Sequence, residues 1–447
     1  MKRQFLTLLL LLPLHFVAQA QAGFNKAKLD SLLTVLESKN KLMGAVALYQ
    51  NGKPLYSRAI GYATSRGNDK IKATTATKYR VGSISKIFTA TLVMQLVEQK
   101  KLSLDTPLSV FFPQFENASS ITIEHLLHHR SGLKNFTAEP AYATYLHQPK
   151  TQAELLSIMS ALKPGFQPGQ KFEYSNTNYV LLSYIVEKVT QQPYAHVLKK
   201  CIADKLGLKS TFYGGKINSA RQEASSFRWN QEQWQEEPET DMSIPQGAGG
   251  IVSTPNDLAL FIQGLFNHTL ISEASLQKMM AFQDKYGLGM MEFALGNSKG
   301  YGHGGGIDGF SSMVTYFPQE KLALATTFNG VATNANDVLI GILSIAMGKP
   351  YTIPTYETPK DLRLDLTRYE GVFASKQFPL KITMKKEGEK LLTQATGQSA
   401  FYLEARSEKD FVFEPAGIQI EFRKSEAGVY DTFVLKQGGG QFLFEKE

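Results

Sequence analysis

The sequence predicts an α+β fold: an antiparallel sheet flanked by helices, an all-helical subdomain, and a small all-β, barrel-like module at the C-terminus. Three observations support this prediction. Two strand-like segments flank Asn51-Gly52, a dipeptide typical of hairpin turns. Helical, strand and glycine-rich patterns are mixed without the regular β–α alternation of a doubly wound sheet. Beyond residue 365 short alternating segments are punctuated by glycine, which is typical of a β-sandwich or barrel.

The individual elements follow from hydrophobic periodicity and from turn residues. The polar segment 216–245, which holds Trp229 and Trp234, is predicted to form an exposed hairpin or flap. Helical spacing of apolar residues predicts helices at Lys28–Lys39, Ser83–Glu98, Ile123–His129, Thr151–Leu162, Asn178–Thr190, Pro193–Leu206 and Asp257–Phe266. Apolar runs predict strands at Gly44–Tyr49, Lys53–Ile60, Ser312–Phe317 and Leu322–Phe328, and in the last module at Leu380–Met384, Phe411–Phe413, Ile418–Phe422 and Gln441–Phe444.

Residues 1–22 have the pattern of a secretory signal peptide. Lys2 and Arg3 precede a short apolar stretch, and Ala18-Gln19-Ala20 fits a cleavage site, with Ala20-Gln21-Ala22 as the alternative. We therefore expect export, to a bacterial periplasm or out of the cell.

Composition changes divide the rest of the chain. Prolines recur through the polar segment 350–365, which reads as a stiff linker. We expect a main domain at 23–349 and a C-terminal β domain at 366–447.

The bulk composition is that of an ordinary globular protein. Of 447 residues, 43% are hydrophobic and 20% charged, which excludes a disordered chain. The net charge of +8 is not gathered into basic blocks interleaved with aromatic residues, so no nucleic-acid partner is expected. After the leader, no apolar stretch reaches the about 20 residues of a membrane span, so no stable membrane insertion is expected. The single cysteine, Cys201, cannot form an internal disulfide and is expected to be structural.

Ser83-Ile84-Ser85-Lys86 is the first candidate for chemistry. On a helix, residues three apart share a face, so Lys86 would lie beside Ser83. A serine hydroxyl becomes a good nucleophile when a neighbouring base takes its proton, and a lysine is a base when its pKa is lowered. The alternative is an ordinary helix start with an N-cap serine and a solvated lysine. The same spacing recurs at Ser275-x-x-Lys278, where no further motif follows it.

Further motifs accompany Ser83. Tyr174-Ser175-Asn176 supplies a phenol that can relay protons and an amide that both donates and accepts. His303 opens a glycine run, 304–306, whose backbone can approach a substrate and complete an oxyanion hole with the N–H of Ser83. Two other segments join them, His125–Leu133 and Gln246–Thr254.

In these motifs and their order the chain resembles the serine β-lactamase and penicillin-binding-protein family over roughly residues 24–345. It looks closest to the class C-like branch that includes esterases and D-aminopeptidases. The C-terminal module resembles the lipocalin-like β domain of some of these hydrolases. The resemblance implies a β-lactamase-like fold and a serine hydrolase that needs no metal or organic cofactor.

The resemblance also implies roles by position. Ser83 would be the acylated nucleophile, and Lys86 and Tyr174 would take its proton and return it to the leaving group. Asn176 would hold the network and the substrate. Gly306 would supply the second oxyanion N–H. His303 falls where β-lactamases have the lysine of a K-T-G motif.

His303 shifts the expected substrate. A histidine is largely neutral at pH 7, whereas that lysine suits the carboxylate of a β-lactam. We therefore expect hydrolysis of an ester or small peptide amide, perhaps one containing D-amino acids. The alternatives are a β-lactamase or penicillin-binding DD-peptidase, and a non-catalytic binding or sensor protein on the same fold. Oligomeric state is left open.

Other residues have simpler interpretations beside the functional ones. Tyr174 and Asn176 are also turn and cap residues, and His303 could be a plain loop histidine. His125, His128 and His129 lack the spacing of a zinc motif and are expected to pack structurally. The two tryptophans either line a substrate pocket or pack within the hairpin.

Overall fold

The computed structural model describes residues 23–66, 69–230, 233–354, 356, 362–377, 380–413, 416–425, 428–437 and 440–447. The expected leader, residues 1–22, and part of the expected linker lie outside the described residues. The described helices are α1 Lys26–Ser38, α2 Ser85–Glu98, α3 Ile123–Leu127, α4 Gln152–Ser160, α5 Asn176–Thr190, α6 Tyr194–Leu198, α7 Asp204–Leu206, α8 Gln246–Gly249, α9 Pro255–Phe266, α10 Glu273–Met279 and α11 Ala335–Ala346.

The described strands fall into two groups along the chain. The first group is β1 Leu42–Gln50, β2 Lys53–Ile60, β3 Tyr62–Arg66, β4 Asp69–Lys72, β5 Tyr79–Arg80, β6 Phe212–Tyr213, β7 Phe227–Trp229, β8 Trp234–Glu236, β9 Ile251–Ser253, β10 Met291–Leu295, β11 Ser298–Ile307, β12 Phe310–Phe317 and β13 Leu322–Val331. The second group is β14 Gly371–Ala374, β15 Ile382–Glu387, β16 Lys390–Ala395, β17 Phe401–Ala405, β18 Asp410–Phe413, β19 Ile418–Lys424, β20 Tyr430–Gln437 and β21 Gly440–Lys446.

A central sheet has the strand order β10-β11-β12-β13-β1-β2, with antiparallel neighbours. Side chains alternate between the two faces of a strand. In β1, Val46 and Leu48 pack with α1 and α11, whereas Ala47 and Tyr49 belong to the core formed by helices such as α2, α5 and α9. Both faces are covered, which explains why β1 is a continuous apolar run. The predicted turn at Asn51-Gly52 is confirmed, with positive φ at both residues.

Helix α2 runs through the centre of the molecule. Its residues from Ser85 to Leu96 are all buried, as expected for a helix that is apolar on every side. The ring of Phe88 stacks on Phe261 of α9. A 3₁₀ turn, Gly82–Ile84, precedes the helix and carries Ser83. Ser83 therefore lies directly before a helix that is buried on every side.

The C-terminal strands β14–β21 close into a barrel, each strand pairing with the next in sequence and β14 with β21. Its interior is filled by aromatic side chains that contact one another, including Tyr369, Phe373, Phe422 and Phe433. The expected fold class is confirmed: helices and a mainly antiparallel sheet, followed by a closed C-terminal barrel. The domain boundaries stay predictions.

Some elements differ from the sequence-based expectation. Pro193–Leu206 was expected as one regular helix, but a π-helical stretch, Lys199–Ala203, interrupts it. The helix expected at Ile123–His129 ends at Leu127, because His129 adopts a left-handed φ of 56°. The glycine run after His303 was expected as a loop before a strand, but it lies inside β11.

Candidate active site

Ser83 lies where the turn before α2 meets the edge of strand β11. Gly82 has a φ of +50°, and a Cβ there would lie 2.7 Å from the carbonyl oxygen of Gly306. A side chain at position 82 would therefore be strained and would push the two backbones apart. Glycine at this position lets the Ser83 turn touch the strand that carries the glycine run.

Ser83 Oγ has two functional neighbours. Lys86 Nζ lies 2.9 Å from it, and the Tyr174 hydroxyl donates to it across another 2.9 Å. Lys86 is the second residue of α2, and Tyr174 lies two residues before the first residue of α5. The structure thus brings together three residues that the sequence predicted would act as a unit.

The surroundings control the protonation of both neighbours. Burial holds the pKa of the Lys86 amine well below its usual value, since its side chain is fully inaccessible to solvent. Burial also raises the pKa of the Tyr174 phenol to about 12, against the opposing effect of its hydrogen bond with Ser83. The lowered pKa favours the neutral amine, which can accept a proton, and the raised pKa keeps the phenol protonated and able to donate one.

The rings around Lys86 offset part of the cost of charging it. Nζ lies 4.9 Å from the centroid of the Tyr174 ring and 5.7 Å from that of Tyr179. Aromatic faces attract cations. They would stabilise the ammonium that forms when Lys86 takes the serine proton.

Asn176 and a backbone carbonyl complete the contacts of Lys86. Nζ is 2.8 Å from Asn176 Oδ1 and 2.7 Å from the carbonyl oxygen of Ala248. Ala248 lies in α8, within the predicted motif 246–254. The Asn176 Nδ2 group donates to Thr137 Oγ1 at 2.8 Å. Thr137 was not identified from the sequence, because an isolated threonine in a loop carries no pattern.

His303 lies behind Tyr174 rather than against Ser83. It is buried, its ring centroid is 6.4 Å from that of Tyr174, and its Nε2 is 3.0 Å from the Tyr286 hydroxyl. Its Nδ1 donates to the carbonyl oxygen of Gly304. Burial and the nearby Lys86 lower its pKa to about 3, so this histidine is neutral at physiological pH. The hydrogen bonds of His303 go to Tyr286 and Gly304 and not to the nucleophile Ser83.

His129 is a buried support of the same aromatic cluster. Its Nδ1 accepts from the backbone N–H of Ser175 at 3.2 Å and from Asn178 Nδ2 at 3.1 Å. Its ring centroid is 4.4 Å from that of Tyr174. Packing and backbone contacts agree with the structural interpretation of the histidines.

The glycine run forms a free strand edge beside Ser83. Strand β10 pairs with β11 only as far as Gly302, so the next residues of β11 have no strand neighbour on that side. A Cβ at Gly305 would lie 2.0 Å from the carbonyl oxygen of Val81. Gly306 lines the same cavity as Ser83. A strand edge beside the nucleophile is a place where a backbone N–H could complete an oxyanion hole with that of Ser83.

A cavity of about 460 Å³ opens in front of Ser83. Asn176, Gly306 and Thr137 line the cavity, as do residues after β8, including Glu237. Neither lysine nor arginine is among the described lining residues. A cavity of this size accommodates a small molecule.

The cavity is lined by two acidic residues, Asp308 and Glu237, which differ in burial and in the exposure of their ion-pair partners. Asp308 is nearly inaccessible at 2% exposure and is bound by Arg80 at 2.9 Å and by Thr240. Glu237 is 23% exposed, and its ion-pair partner Arg228 is 72% exposed. Glu237 was not singled out from the sequence, because only the hairpin β7–β8 brings it to the cavity.

The remaining candidates lie apart from this cavity. Ser275 is inside the first turn of α10, where Ser272 caps its N–H, and Lys278 is exposed. The rings of Trp229 and Trp234 pack on each other at 5.0 Å, which supports hairpin packing. In the part of the chain that the structure describes, no group of three metal-ligating side chains gathers. Within the same ranges, no helix combines the length and apolar character that a bilayer crossing needs.

Known proteins are similar to this chain in sequence. The family model described as Beta-lactamase matches residues 29–343. Penicillin-binding protein 4* of Bacillus subtilis (strain 168) is 27% identical over 453 residues, covering 93% of this chain and 98% of that protein. Teichoic acid D-alanine hydrolase of Staphylococcus aureus (strain MRSA252) is 30% identical over 231 residues, 51% of this chain and 55% of that protein.

A solved structure is also similar to this chain. The D-amino acid amidase of Ochrobactrum anthropi SV3, complexed with L-phenylalanine, superposes with a TM-score of 0.60 and 26% identity. The match covers 72% of this chain and 97% of the amidase.

Proposed function

This chain belongs to the beta-lactamase family and is a serine hydrolase, and we propose that it cleaves small esters or amides of D-amino acids whose amino group is free and positively charged. One observation carries the substrate class. The acidic residue Glu237 lines the cavity in front of Ser83, while neither lysine nor arginine is among the described lining residues. Such a lining attracts an ammonium group and repels a carboxylate.

The reaction follows from the contacts of Ser83. Lys86 takes the proton of the Ser83 hydroxyl as Oγ attacks the substrate carbonyl, and the backbone N–H groups of Ser83 and Gly306 bind the oxyanion. The proton then passes from Lys86 through the Tyr174 hydroxyl to the leaving alcohol or amine. An acyl-enzyme on Ser83 remains. Water activated by the same groups hydrolyses it and releases the amino acid.

Glu237 is the carboxylate able to bind the substrate amine. Asp308 is already held by Arg80 and Thr240. The pair of Glu237 with Arg228 lies largely in solvent, and exposed ion pairs contribute only about 0–1 kcal/mol. A substrate ammonium can therefore replace Arg228 at little cost.

The relatives support the choice of acyl group. One relative is a teichoic acid D-alanine hydrolase, and one protein of similar structure is a D-amino acid amidase. The cavity of about 460 Å³ is large enough to hold such an acyl group.

The alternatives fit the cavity less well. A β-lactamase or DD-peptidase substrate presents a carboxylate, which would meet Glu237 in a cavity whose described lining residues include neither lysine nor arginine. A non-catalytic binding protein has no use for the hydrogen-bonded set of Ser83, Lys86 and Tyr174.

Paired substrates test the proposal. D-Alanine p-nitroanilide, its N-acetyl derivative, the L-enantiomer and nitrocefin would be compared on the native protein and on Glu237→Gln. We expect the free D-amine to be preferred, and E237Q to raise its KM roughly tenfold, which is 1.4 kcal/mol of binding, without changing KM for the N-acetyl form. Arg228→Gln is the matched control and should leave or lower the KM of the free amine. Preference for nitrocefin, or an equal effect of E237Q on both anilides, would contradict the proposal.

We also propose that the protein acts outside the cytoplasm. The support is the sequence of residues 1–22, with Lys2 and Arg3 before an apolar stretch. N-terminal sequencing of the protein recovered from the periplasm or medium should begin after Ala20 or Ala22. An intact leader on all of the protein would contradict it.

A further inference from the structure

The hydrogen-bond acceptors around Lys86 determine where its lone pair points. A neutral amine has two hydrogens and one lone pair. The carbonyl oxygen of Ala248, at 2.7 Å, and Asn176 Oδ1, at 2.8 Å, can only accept, so they take the two hydrogens. The lone pair is left for Ser83 Oγ at 2.9 Å. This direction is lost if the Asn176 amide turns over, because its NH₂ group would then face Lys86 and compete with the serine proton.

Two residues of a neighbouring loop prevent that rotation. Thr137 Oγ1 donates its only hydrogen to Asn135 Oδ1 at 3.0 Å. It can therefore only accept from Asn176, whose Nδ2 lies 2.8 Å away. Asn135 Oδ1 is fixed in turn, because it also accepts the backbone N–H of Asn176 at 3.0 Å. Each hydrogen bond in the series from Asn176 to Thr137 to Asn135 therefore has only one possible donor.

Hydrogen bonds hold this loop, residues 134–137, against the start of α5. The carbonyl oxygen of Lys134 accepts from the hydroxyls of Ser175 at 3.1 Å and Thr177 at 2.6 Å. Phe136, which separates Asn135 from Thr137, is completely buried. The acceptor on Thr137 therefore stays at a constant place relative to Asn176.

We propose that Thr137 and Asn135 are positioning residues that fix the orientation of the Asn176 amide and so aim the lone pair of Lys86 at Ser83. This inference rests on the proposed function, in which Lys86 is the base. Neither residue touches the reacting bond. Their effect reaches Ser83 through Asn176 and Lys86.

Substitutions at position 137 test the inference. Thr137→Val keeps the shape but removes the acceptor, so the Asn176 amide is free to turn. We expect the acylation rate, followed as kcat for an anilide and as the rate of fluorophosphonate labelling of Ser83, to fall roughly tenfold with KM within twofold. Thr137→Ser keeps the hydroxyl and should restore the native rate. Thr137→Ala admits a water as acceptor and should fall between the two.

The pH profile separates positioning from loosened packing. A turned amide donates to the neutral amine, which favours the neutral form and moves the acidic limb of kcat/KM to lower pH in T137V. Loosened packing would admit water and move that limb to higher pH. A native rate in T137V, a limb that moves upward, or failure of T137S to restore the rate would overturn the inference. Labelling of native Ser83 that disappears in Lys86→Met would show that the proposed nucleophile and base still stand.

Discussion

The buried amine of Lys86 should give the protein a pH-dependent stability that a Lys86→Met variant lacks. In the folded state burial keeps the amine neutral at pH values where a solvated lysine is charged. The unfolded chain therefore binds one proton more than the folded chain, and the free energy of unfolding rises with pH. The window begins at the lowered pKa of the folded state and closes near the unfolded pKa of about 10.4.

The magnitude follows from one proton. Well inside the window, the free energy of unfolding of the native protein should gain about 1.4 kcal/mol per pH unit relative to the methionine variant. Hydrogen bonds lost in the variant, such as the one to Ala248, shift the whole curve but not its slope.

Tryptophan fluorescence reports the unfolding of the main domain, which contains Lys86, separately from that of the barrel. The chain has two tryptophans, Trp229 and Trp234, and both lie in the hairpin beside the central sheet, outside the barrel. Urea unfolding would be followed at several pH values up to 10. Lys278→Met, at an exposed lysine of the second S-x-x-K segment, is the matched control and should keep the native slope. Parallel curves for native protein and K86M would refute the idea that Lys86 is neutral when folded.

Three further predictions concern catalysis. Tyr174→Phe removes the donor to Ser83 and should lower kcat about 10²–10⁴-fold with little change in KM in steady-state assays; a larger effect on KM than on kcat would argue against proton transfer. A pH–rate profile of kcat/KM for the N-acetyl anilide, which has no amine of its own to titrate, should rise as Lys86 deprotonates and stay high to pH 10, because the pKa of Tyr174 is about 12; a fall through pH 8–9 with this substrate would contradict that assignment. Gly305→Ala places a Cβ 2.0 Å from the Val81 carbonyl and should cost at least about 100-fold in kcat, whereas Gly304→Ala, whose nearest contact is 3.6 Å, should be close to native; equal effects would show that the strand edge is not the sensitive feature.

The sequence predicted the fold class and the residues that meet at Ser83, because those features are written in short patterns. Ser83-x-x-Lys86 begins an apolar helix, and Tyr174-x-Asn176 begins another. Both patterns put their polar residues at a helix start, where the structure brings them within hydrogen-bond distance.

Other parts of the site depend on tertiary packing that no local pattern encodes. Thr137 and Asn135 matter only because the fastened loop faces Asn176. Glu237 reaches the cavity only through the hairpin β7–β8. The glycine run was expected as a loop, since glycine is depleted in strands. The structure places the run inside β11, where the neighbouring backbone leaves room for glycine alone, as at Gly305, where a Cβ would lie 2.0 Å from the Val81 carbonyl oxygen.

Mass spectrometry of fluorophosphonate-treated protein tests most directly that Ser83 is a nucleophile activated by Lys86. We predict a single adduct on the peptide that contains Ser83, none on the peptide that contains Ser275, and at least a hundredfold slower labelling in Lys86→Met. An unlabelled Ser83, or labelling at the native rate in the methionine variant, would contradict the acyl-enzyme mechanism proposed for this protein.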